Sequence, residues 1–178
     1  MYLGANCGHD PFYAEKAEEL GRWIGEKGCS LVYGGSKIGL MGILARSAQK
    51  AGVRVTGVEP QFFIDSVVQL ETLDELIVTK TISERKVKMI ERGAVFIAFP
   101  GGNGTLEEIA EIMSLLSLDL IRGLCIIYNL RGFYDPLKLQ LDRMTEAGFI
   151  TPENRAKYHF CADIDEIEEL VRTQDFFG

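Results

Sequence analysis

The sequence predicts an α/β protein with a single doubly wound, Rossmann-like domain that spans residues 1–178. Short apolar runs alternate with amphipathic helical segments, an order typical of right-handed βαβ units and parallel sheets. Two of these runs end in glycine-rich turns, and folds of this kind bind ligands at such turns. We therefore expect one parallel sheet of about seven strands, with helices on both faces.

The elements follow one another in a regular order. Apolar runs predict seven strands: Tyr2–Ala5, Ser30–Tyr33, Arg54–Val58, Glu75–Thr79, Ala94–Phe99, Leu124–Tyr128 and Tyr158–Cys161. The first strand is short, because Gly4 follows after three residues. Segments of helical periodicity predict six helices: Pro11–Glu26, Ile38–Ala51, Ile82–Arg92, Leu106–Leu120, Tyr134–Ala147 and Asp163–Thr173. The stretch Glu59–Asp74 has neither pattern and predicts the longest connection.

Composition narrows the function classes. A net charge of −7 argues against a general nucleic-acid or anionic-membrane partner, which would require clustered Lys and Arg. The four cysteines are far apart in sequence, so we expect reduced thiols and a cytoplasmic protein. Neither histidine has a Cys or His neighbour at ligand spacing, and we expect no metal site and no cofactor. No apolar stretch is long enough to predict a membrane span or a signal peptide.

Both glycine-rich turns connect a strand to a helix. They read LVYGGSKIGLMG over residues 31–42 and AVFIAFPGGNGTLEE over residues 94–108. In a parallel sheet both would open on the edge at the carboxyl ends of the strands, beside helix N-termini that attract anions. Neither turn matches the Walker A or the G-x-G-x-x-G pattern. One observation still favours a dinucleotide-binding site: Glu59 lies where such sites have an acid that binds the ribose.

Charged residues behind these turns allow structural and functional interpretations. Thr105 and Glu108 fit a capping box, and so do Thr81 and Glu84. Glu107 is an ordinary partner for a helix dipole. Arg85 lies near the start of its helix, where a cation opposes the dipole, which indicates that it serves an anion or a carboxylate.

Two signatures together resemble a known family. SERKVKM followed by PGGNGTLEE is similar to the paired motifs E-R-K-x-x-M and P-G-G-x-G-T-x-x-E of the Lonely Guy (LOG) family. YGGSKIGLMG resembles its upstream glycine loop, and GFYDPL with EAGFI resembles its C-terminal part. The resemblance covers about residues 3–172 and implies a homodimer that hydrolyses the N-glycosidic bond of a nucleoside 5′-monophosphate, such as a cytokinin riboside monophosphate or AMP.

The resemblance also implies roles for single residues. Arg85 and Glu108 carry over as the catalytic pair. Residues expected to bind the substrate are the phosphate loop Gly101, Gly102, Asn103, Gly104 and Thr105, together with Lys86, Ser114, Gly34 and Gly35. The label "lysine decarboxylase", which such proteins often carry, has no support in the sequence, because the chain shows no lysine in a pyridoxal-phosphate context.

This sequence departs from the family pattern at three places, and rival functions remain. Ser36 replaces the third glycine of the first loop. The connection after Pro60 differs from the family pattern, in which an acidic residue contacts the nucleotide, and Asp65 is a candidate for that contact. The start of the sequence is also shorter than usual. The main alternative is a non-catalytic nucleotide or cofactor carrier on the same fold, which would need no carboxylate near the sugar. A second alternative, an NAD-dependent dehydrogenase, has an incomplete fingerprint here.

Overall fold

The computed structural model describes residues 1–64 and 69–174. It divides into two compact units, Met1–Gly93 and Ala94–Gly178, each described here by itself. Each unit contains a parallel sheet and helices, so the α/β class predicted from the sequence is confirmed. The assignment of residues 1–178 to a single domain stays a prediction.

The first unit builds its sheet from three parallel strands in the order β1-β2-β3. Strand β2 is central and buried along its whole length, including the polar residues Thr56 and Glu59. Its elements, in chain order, are α1 (Phe12–Glu26), β1 (Leu31–Tyr33), α2 (Gly39–Lys50), β2 (Val55–Pro60), the short α3 (Gln61–Ile64), β3 (Glu75–Thr79) and α4 (Ile82–Glu91).

The second unit repeats this plan with strands in the order β4-β5-β6. Strand β5 is central and fully buried. Its elements are β4 (Val95–Ala98), α5 (Asn103–Ser117), β5 (Leu124–Tyr128), a 3-10 turn (Leu130–Gly132), α6 (Asp135–Glu146), α7 (Pro152–Arg155), β6 (Tyr158–Cys161) and α8 (Ile164–Thr173).

The prediction of one sheet with about seven strands is wrong, since the described residues form two sheets of three strands each. The missing strand is Tyr2–Ala5, in which only Tyr2 forms a β-bridge. The chain bends at Ala5 and Asn6, so the extended run ends before a ladder of paired residues forms. The terminal ammonium of Met1 instead donates a hydrogen bond of 2.8 Å to the carbonyl oxygen of Val32.

Two further differences from the sequence prediction affect the candidate site. The connection after β2 is less irregular than expected, because Glu59 and Pro60 complete β2 and α3 follows. Helix α5 begins at Asn103, three residues before the predicted start at Leu106. This early start defines the geometry of the second glycine turn.

Helices α1 and α2 pack closely because α1 carries glycines on its buried face. A Cβ added to Gly21 would lie 2.6 Å from Cβ of Ser47 and 2.7 Å from the carbonyl oxygen of Leu44. The hydroxyl of Ser47 donates a 2.6 Å hydrogen bond to the Glu18 carbonyl, which joins the two helices at the same level. The contact therefore leaves no room for a side chain at position 21.

We predict that Gly21→Ala lowers the free energy of unfolding by about 1–3 kcal/mol, the usual cost of overpacking. Gly104→Ala is the matched control, because an added Cβ there meets no atom within 4 Å. The control should be neutral or slightly stabilising, since alanine favours a helix. Urea denaturation measures both, and equal unfolding free energies for Gly21→Ala and the wild type would contradict the packing description.

Candidate functional site

The second glycine turn exposes the N-terminus of α5. Gly102 precedes the helix as its N-cap and provides no side-chain cap. The helical ladder begins with a 3.1 Å hydrogen bond from the Leu106 N–H to the Gly102 carbonyl. The backbone N–H groups of Asn103, Gly104 and Thr105 therefore precede the ladder, and such groups form a site for an anion.

Space around this turn is open. Gly102, Asn103 and Gly104 are exposed, whereas Thr105 is buried. A Cβ added to Gly102 or to Gly104 would meet nothing within 4 Å. Packing does not require glycine at these two positions, so their lack of a side chain leaves the backbone accessible to a ligand.

The two neighbouring carboxylates of α5 lie in different environments. Glu108 is only 9% exposed and belongs to the buried face, which it shares with Thr105 and Ile109. Glu107 is exposed. Glu108 follows Thr105 by three residues, so the two side chains lie on one side of the helix, just after the open amides. The pair thus separates into one surface acid and one buried acid.

The capping box predicted for Thr105 and Glu108 is wrong. Thr105 lies inside the first turn of α5, because the helix already begins at Asn103 after the Gly102 cap. The capping interpretation of Thr81 holds: its hydroxyl accepts a 3.1 Å hydrogen bond from the Glu84 N–H. The Glu84 carboxylate accepts a 2.8 Å bond from the N–H of Lys80.

The approach to the second turn is anchored at the end of β4. The Tyr134 hydroxyl donates a 2.9 Å hydrogen bond to the carbonyl oxygen of Phe99, the residue before Pro100. Tyr134 is itself held by the 2.6 Å bond from its N–H to the Asn129 side chain. This contact fixes where the glycine turn leaves the sheet.

In the first unit, the structure brings the other glycine turn next to Arg85. The Nε of Arg85 donates a 2.9 Å hydrogen bond to the Val58 carbonyl. A Cβ on Gly34 would collide with Nη2 of Arg85 and would lie 2.9 Å from Sδ of Met41. The guanidinium group of Arg85 therefore lies directly against Gly34, and a side chain at this position would displace it.

Glu59 lies under the same turn. It is 1% exposed, and a Cβ on Gly35 would lie 2.6 Å from its Cγ. Within the described ranges, its Oε2 has no hydrogen-bond partner. Burial raises the pKa of Glu59 to about 7, and the positive charge of Arg85 opposes part of this shift. From the sequence, Glu59 was evidence only for the dinucleotide-binding alternative. Its position as a charged residue within a buried strand was the available sign that it has a further role.

Ser36, at the position of the third glycine, is buried and completes the first turn. Its hydroxyl accepts a 3.3 Å hydrogen bond from the Ile38 N–H, and its carbonyl accepts a 3.3 Å bond from the Tyr33 hydroxyl. Gln69 pairs with it in an antiparallel bridge. Ser36 thus stabilises the turn by local contacts. Asp65, the candidate nucleotide contact, lies outside the described residues.

The remaining predicted site residues are not all close to the turns. Lys86 adjoins Arg85 on α4 and is half-buried. Ser114 is exposed, and its hydroxyl donates a 2.9 Å bond to the Ala110 carbonyl of its own helix. It lies about 16 Å along α5 from Asn103, so this unit does not bring it to the phosphate loop. Arg85 and Glu108 belong to different units, and their joint role stays a prediction.

The described part of the chain contains neither a metal-binding cluster nor a membrane-spanning helix. Within residues 1–64 and 69–174, no group of three or more His, Cys, Asp or Glu side chains could hold a metal ion. The same residues include no helix that is both long and apolar enough to cross a membrane.

Sequence comparisons identify the family. The sequence model described as "Possible lysine decarboxylase" matches residues 41–171. A cytokinin riboside 5′-monophosphate phosphoribohydrolase of Rhodococcoides fascians is 37% identical over 175 residues, which is 97% of this chain and 88% of the relative. The chain belongs to the LOG family. The LOG7 enzyme of Arabidopsis thaliana, with the same activity in its name, is 33% identical over 97% of this chain and 78% of its own length.

Solved structures show the fold of this LOG family member independently. The molybdenum cofactor binding protein of Rippkaea orientalis superposes with a TM-score of 0.71 at 20% identity, covering 97% of this chain and 93% of that one. The molybdenum cofactor carrier protein of Chlamydomonas reinhardtii gives a TM-score of 0.70 at 21% identity, with the same two coverages. At this identity the likeness concerns the α/β fold alone.

Glu59 makes the stability of this LOG family member depend on pH. Its pKa in the folded chain, about 7, exceeds the ordinary value of 4.5, so the native state binds the proton more tightly than the unfolded state. The contribution of Glu59 to stability is therefore greatest below pH 4.5 and falls as the pH rises towards about 7. We predict that Glu59→Gln, which carries no charge, removes this fall.

Urea denaturation of both proteins across this pH range measures the effect. Glu75→Gln is the control, because it removes a carboxylate from the neighbouring strand β3, where Glu75 pairs with Arg54 and Arg92. The control should keep the wild-type pH dependence. Parallel stability curves for the wild type and Glu59→Gln would show that Glu59 does not titrate in this range.

Proposed function

We propose that this protein hydrolyses the N-glycosidic bond of a nucleoside 5′-monophosphate, releasing the free base and ribose 5-phosphate. Membership of the LOG family supports this activity, because relatives at 33–37% identity are named cytokinin riboside 5′-monophosphate phosphoribohydrolases. Within this chain, the proposal rests on the order of groups along α5. Open backbone N–H groups begin the helix, and the buried carboxylate of Glu108 follows a little over one turn later.

In this proposal, the phosphate and the sugar use different parts of α5. The 5′-phosphate accepts hydrogen bonds from the amides of Asn103, Gly104 and Thr105, with Gly101 and Gly102 leaving the backbone accessible. Its binding energy positions the ribose for reaction. The phosphate and the carboxylate of Glu108 are both negative. In the transition state the positive charge of the sugar lies between them and offsets their repulsion.

Glu108 then acts on the anomeric carbon. Cleavage of an N-glycoside passes through an oxocarbenium-like state with positive charge on C1′ and the ring oxygen. The carboxylate stabilises this charge and accepts a proton from the attacking water. The water oxygen bonds to C1′, the C1′–N bond breaks, and its electron pair stays on the base, which takes up a proton. Water supplies both the hydroxyl and the proton, so the reaction needs no cofactor.

The other site residues keep supporting roles in the proposal. Arg85 contacts the phosphate or the ribose, or orients Glu108, and Lys86, Ser114, Gly34 and Gly35 are further contacts to the substrate. We also propose a homodimer in the cytoplasm as the working form. The family resemblance supports the dimer, and the four free cysteines, all of them within the described ranges, agree with a reducing compartment.

The decisive experiment is incubation with a panel of nucleoside 5′-monophosphates that includes AMP and a cytokinin riboside monophosphate. Chromatography should detect the free base and ribose 5-phosphate in equal amounts. The matching nucleosides, which lack phosphate, should react far more slowly. A carrier would bind a nucleotide and return it unchanged, so binding without release of base would refute the proposed hydrolase.

We predict that Glu108→Gln lowers kcat by about 100-fold or more, since the amide neither carries the negative charge nor accepts the proton of water. Glu107→Gln is the matched control, because it makes the same change on the exposed side of the same helix. Its kcat should equal that of the wild type. Wild-type turnover by Glu108→Gln, with the substrate that the panel identifies, would remove Glu108 from the mechanism.

We predict that Gly104→Ala keeps the stability of the fold but raises KM for nucleoside monophosphates roughly tenfold, or about 1.4 kcal/mol of binding. An added Cβ would occupy space that is open in the free protein, where the phosphate is expected. The hydrolysis of nucleosides without phosphate should change little. An unaltered KM for the monophosphates would place the phosphate elsewhere.

A further inference from the structure

Glu59 is a buried acid without a structural partner for one of its oxygens. It is 1% exposed within β2, and Oε2 has no hydrogen-bond partner among the described residues. A carboxyl in this state costs stability, because burial without hydrogen bonds disfavours both the polar and the charged form. Apolar residues of similar size would fill the same volume of the sheet at no such cost.

The carboxyl lies against one glycine of the first turn, and the guanidinium group of Arg85 lies against the preceding one. A Cβ on Gly35, whose φ is +86°, would approach Cδ of Glu59 to 2.9 Å. A Cβ on Gly34 would collide with Nη2 of Arg85. The Nε of Arg85 is bonded to the carbonyl of Val58, the residue directly before Glu59. Acid and guanidinium group therefore share one short segment of backbone.

Charges around Glu59 leave Arg85 as its electrostatic partner among the described residues. The cation that acts on Glu59 is Arg85, from α4. The titratable group facing it from β1 is Tyr33, whose pKa is raised by burial and by Glu59 itself, so the phenol stays neutral. Arg46 of α2 acts on Tyr33. From β3, the register partner of Glu59 is Val78, which carries no charge.

We propose that Glu59 is a positioning residue for Arg85: its carboxylate holds the guanidinium group over Gly34 in the orientation that meets the substrate. The Nε hydrogen bond to Val58 is one anchor of the guanidinium group. A negative charge on Glu59, which lies against the next glycine, attracts the guanidinium group and opposes its movement away from Gly34. The effect on catalysis rests on the proposed hydrolase function, whereas the effect on Arg85 does not.

This role makes the orientation of Arg85 dependent on pH. The pKa of Glu59 is about 7, so the carboxylate is largely ionised above this pH and largely protonated below it. Arg85 stays charged throughout. The hold on the guanidinium group is therefore expected at alkaline pH and lost at acidic pH.

The first test observes Arg85 directly and needs no substrate. The guanidinium ¹⁵N–¹H resonances of Arg85, assigned by their loss in Arg85→Lys, should shift with a midpoint near pH 7 in the wild type. In Glu59→Gln this shift should be absent, while Glu75→Gln, the surface control on β3, should retain it. A shift that persists in Glu59→Gln, or no shift in the wild type, would overturn the proposal.

The second test is a double-mutant cycle of Glu59→Gln and Arg85→Ala, read as kcat/KM for the nucleoside monophosphate that the wild type hydrolyses best. Above pH 7, Glu59→Gln alone should lower kcat/KM about tenfold and remove the acidic limb of the pH profile. In the Arg85→Ala background it should have no further effect, since there is no guanidinium group left to position. Equal losses in both backgrounds would assign Glu59 a general structural role.

These tests separate the two proposals. If the wild type releases no base from any nucleotide, the hydrolase proposal fails, and the resonances of Arg85 still decide the role of Glu59. If base is released but the cycle is additive, the hydrolase proposal stands and the positioning role fails.

Discussion

The abrupt passage from the buried strand β4 into α5 is the constraint on which the candidate phosphate site depends. Four residues, Phe99, Pro100, Gly101 and Gly102, connect the end of β4 to the first turn of the helix. So short a turn, capped without a side chain, leaves the first amides of α5 outside the hydrogen-bonded ladder. The bond from Tyr134 to the Phe99 carbonyl fixes the strand end from which the turn departs. The same helix then places Glu108 on its buried face, so one rigid element holds the candidate anion site and a carboxylate at a set separation.

The two glycine turns of this chain differ in electrostatics, although their sequences look alike. The turn before α5 presents open amides, and added Cβ atoms at Gly102 and Gly104 would meet nothing. At the turn before α2, Gly34 lies against the guanidinium group of Arg85, and Gly35 against the buried carboxyl of Glu59. A phosphate is favoured at the first of these arrangements. At the second, the guanidinium group and the carboxyl group already lie against the two glycines, so charged side chains cover this part of the turn.

Much of the fold could be predicted because the apolar runs are separated by clear helical periodicity. Strands β3, β5 and β6 begin and end where the sequence pattern places them. The prediction of a single seven-stranded sheet was wrong: the described strands form two sheets of three, and the run Tyr2–Ala5 makes one bridge, at Tyr2, before the chain bends. Pairing depends on partners that a local pattern does not include.

The features of the candidate site that depend on the local spacing of residues could be predicted from the sequence. Those that depend on tertiary packing could not. The motif predicts the phosphate loop and assigns different roles to Glu108 and its neighbour Glu107, and the structure buries Glu108 while it exposes Glu107. The motif misassigned Thr105, because T-x-x-E fits a cap and a helix interior equally well, and only the start of the ladder distinguishes them. The environment of Glu59 could not be predicted, since its burial beside Gly35 results from the pairing of β2 with β1 and β3.

A crystal structure of Glu108→Gln with a bound nucleoside 5′-monophosphate tests the role of α5 most directly, because this variant should bind the substrate without consuming it. We predict electron density for the phosphate within hydrogen-bonding distance of the amides of Asn103, Gly104 and Thr105, with C1′ of the ribose facing the side chain at position 108. A phosphate bound at Gly34 and Gly35, or a sugar turned away from position 108, would contradict this assignment of the site.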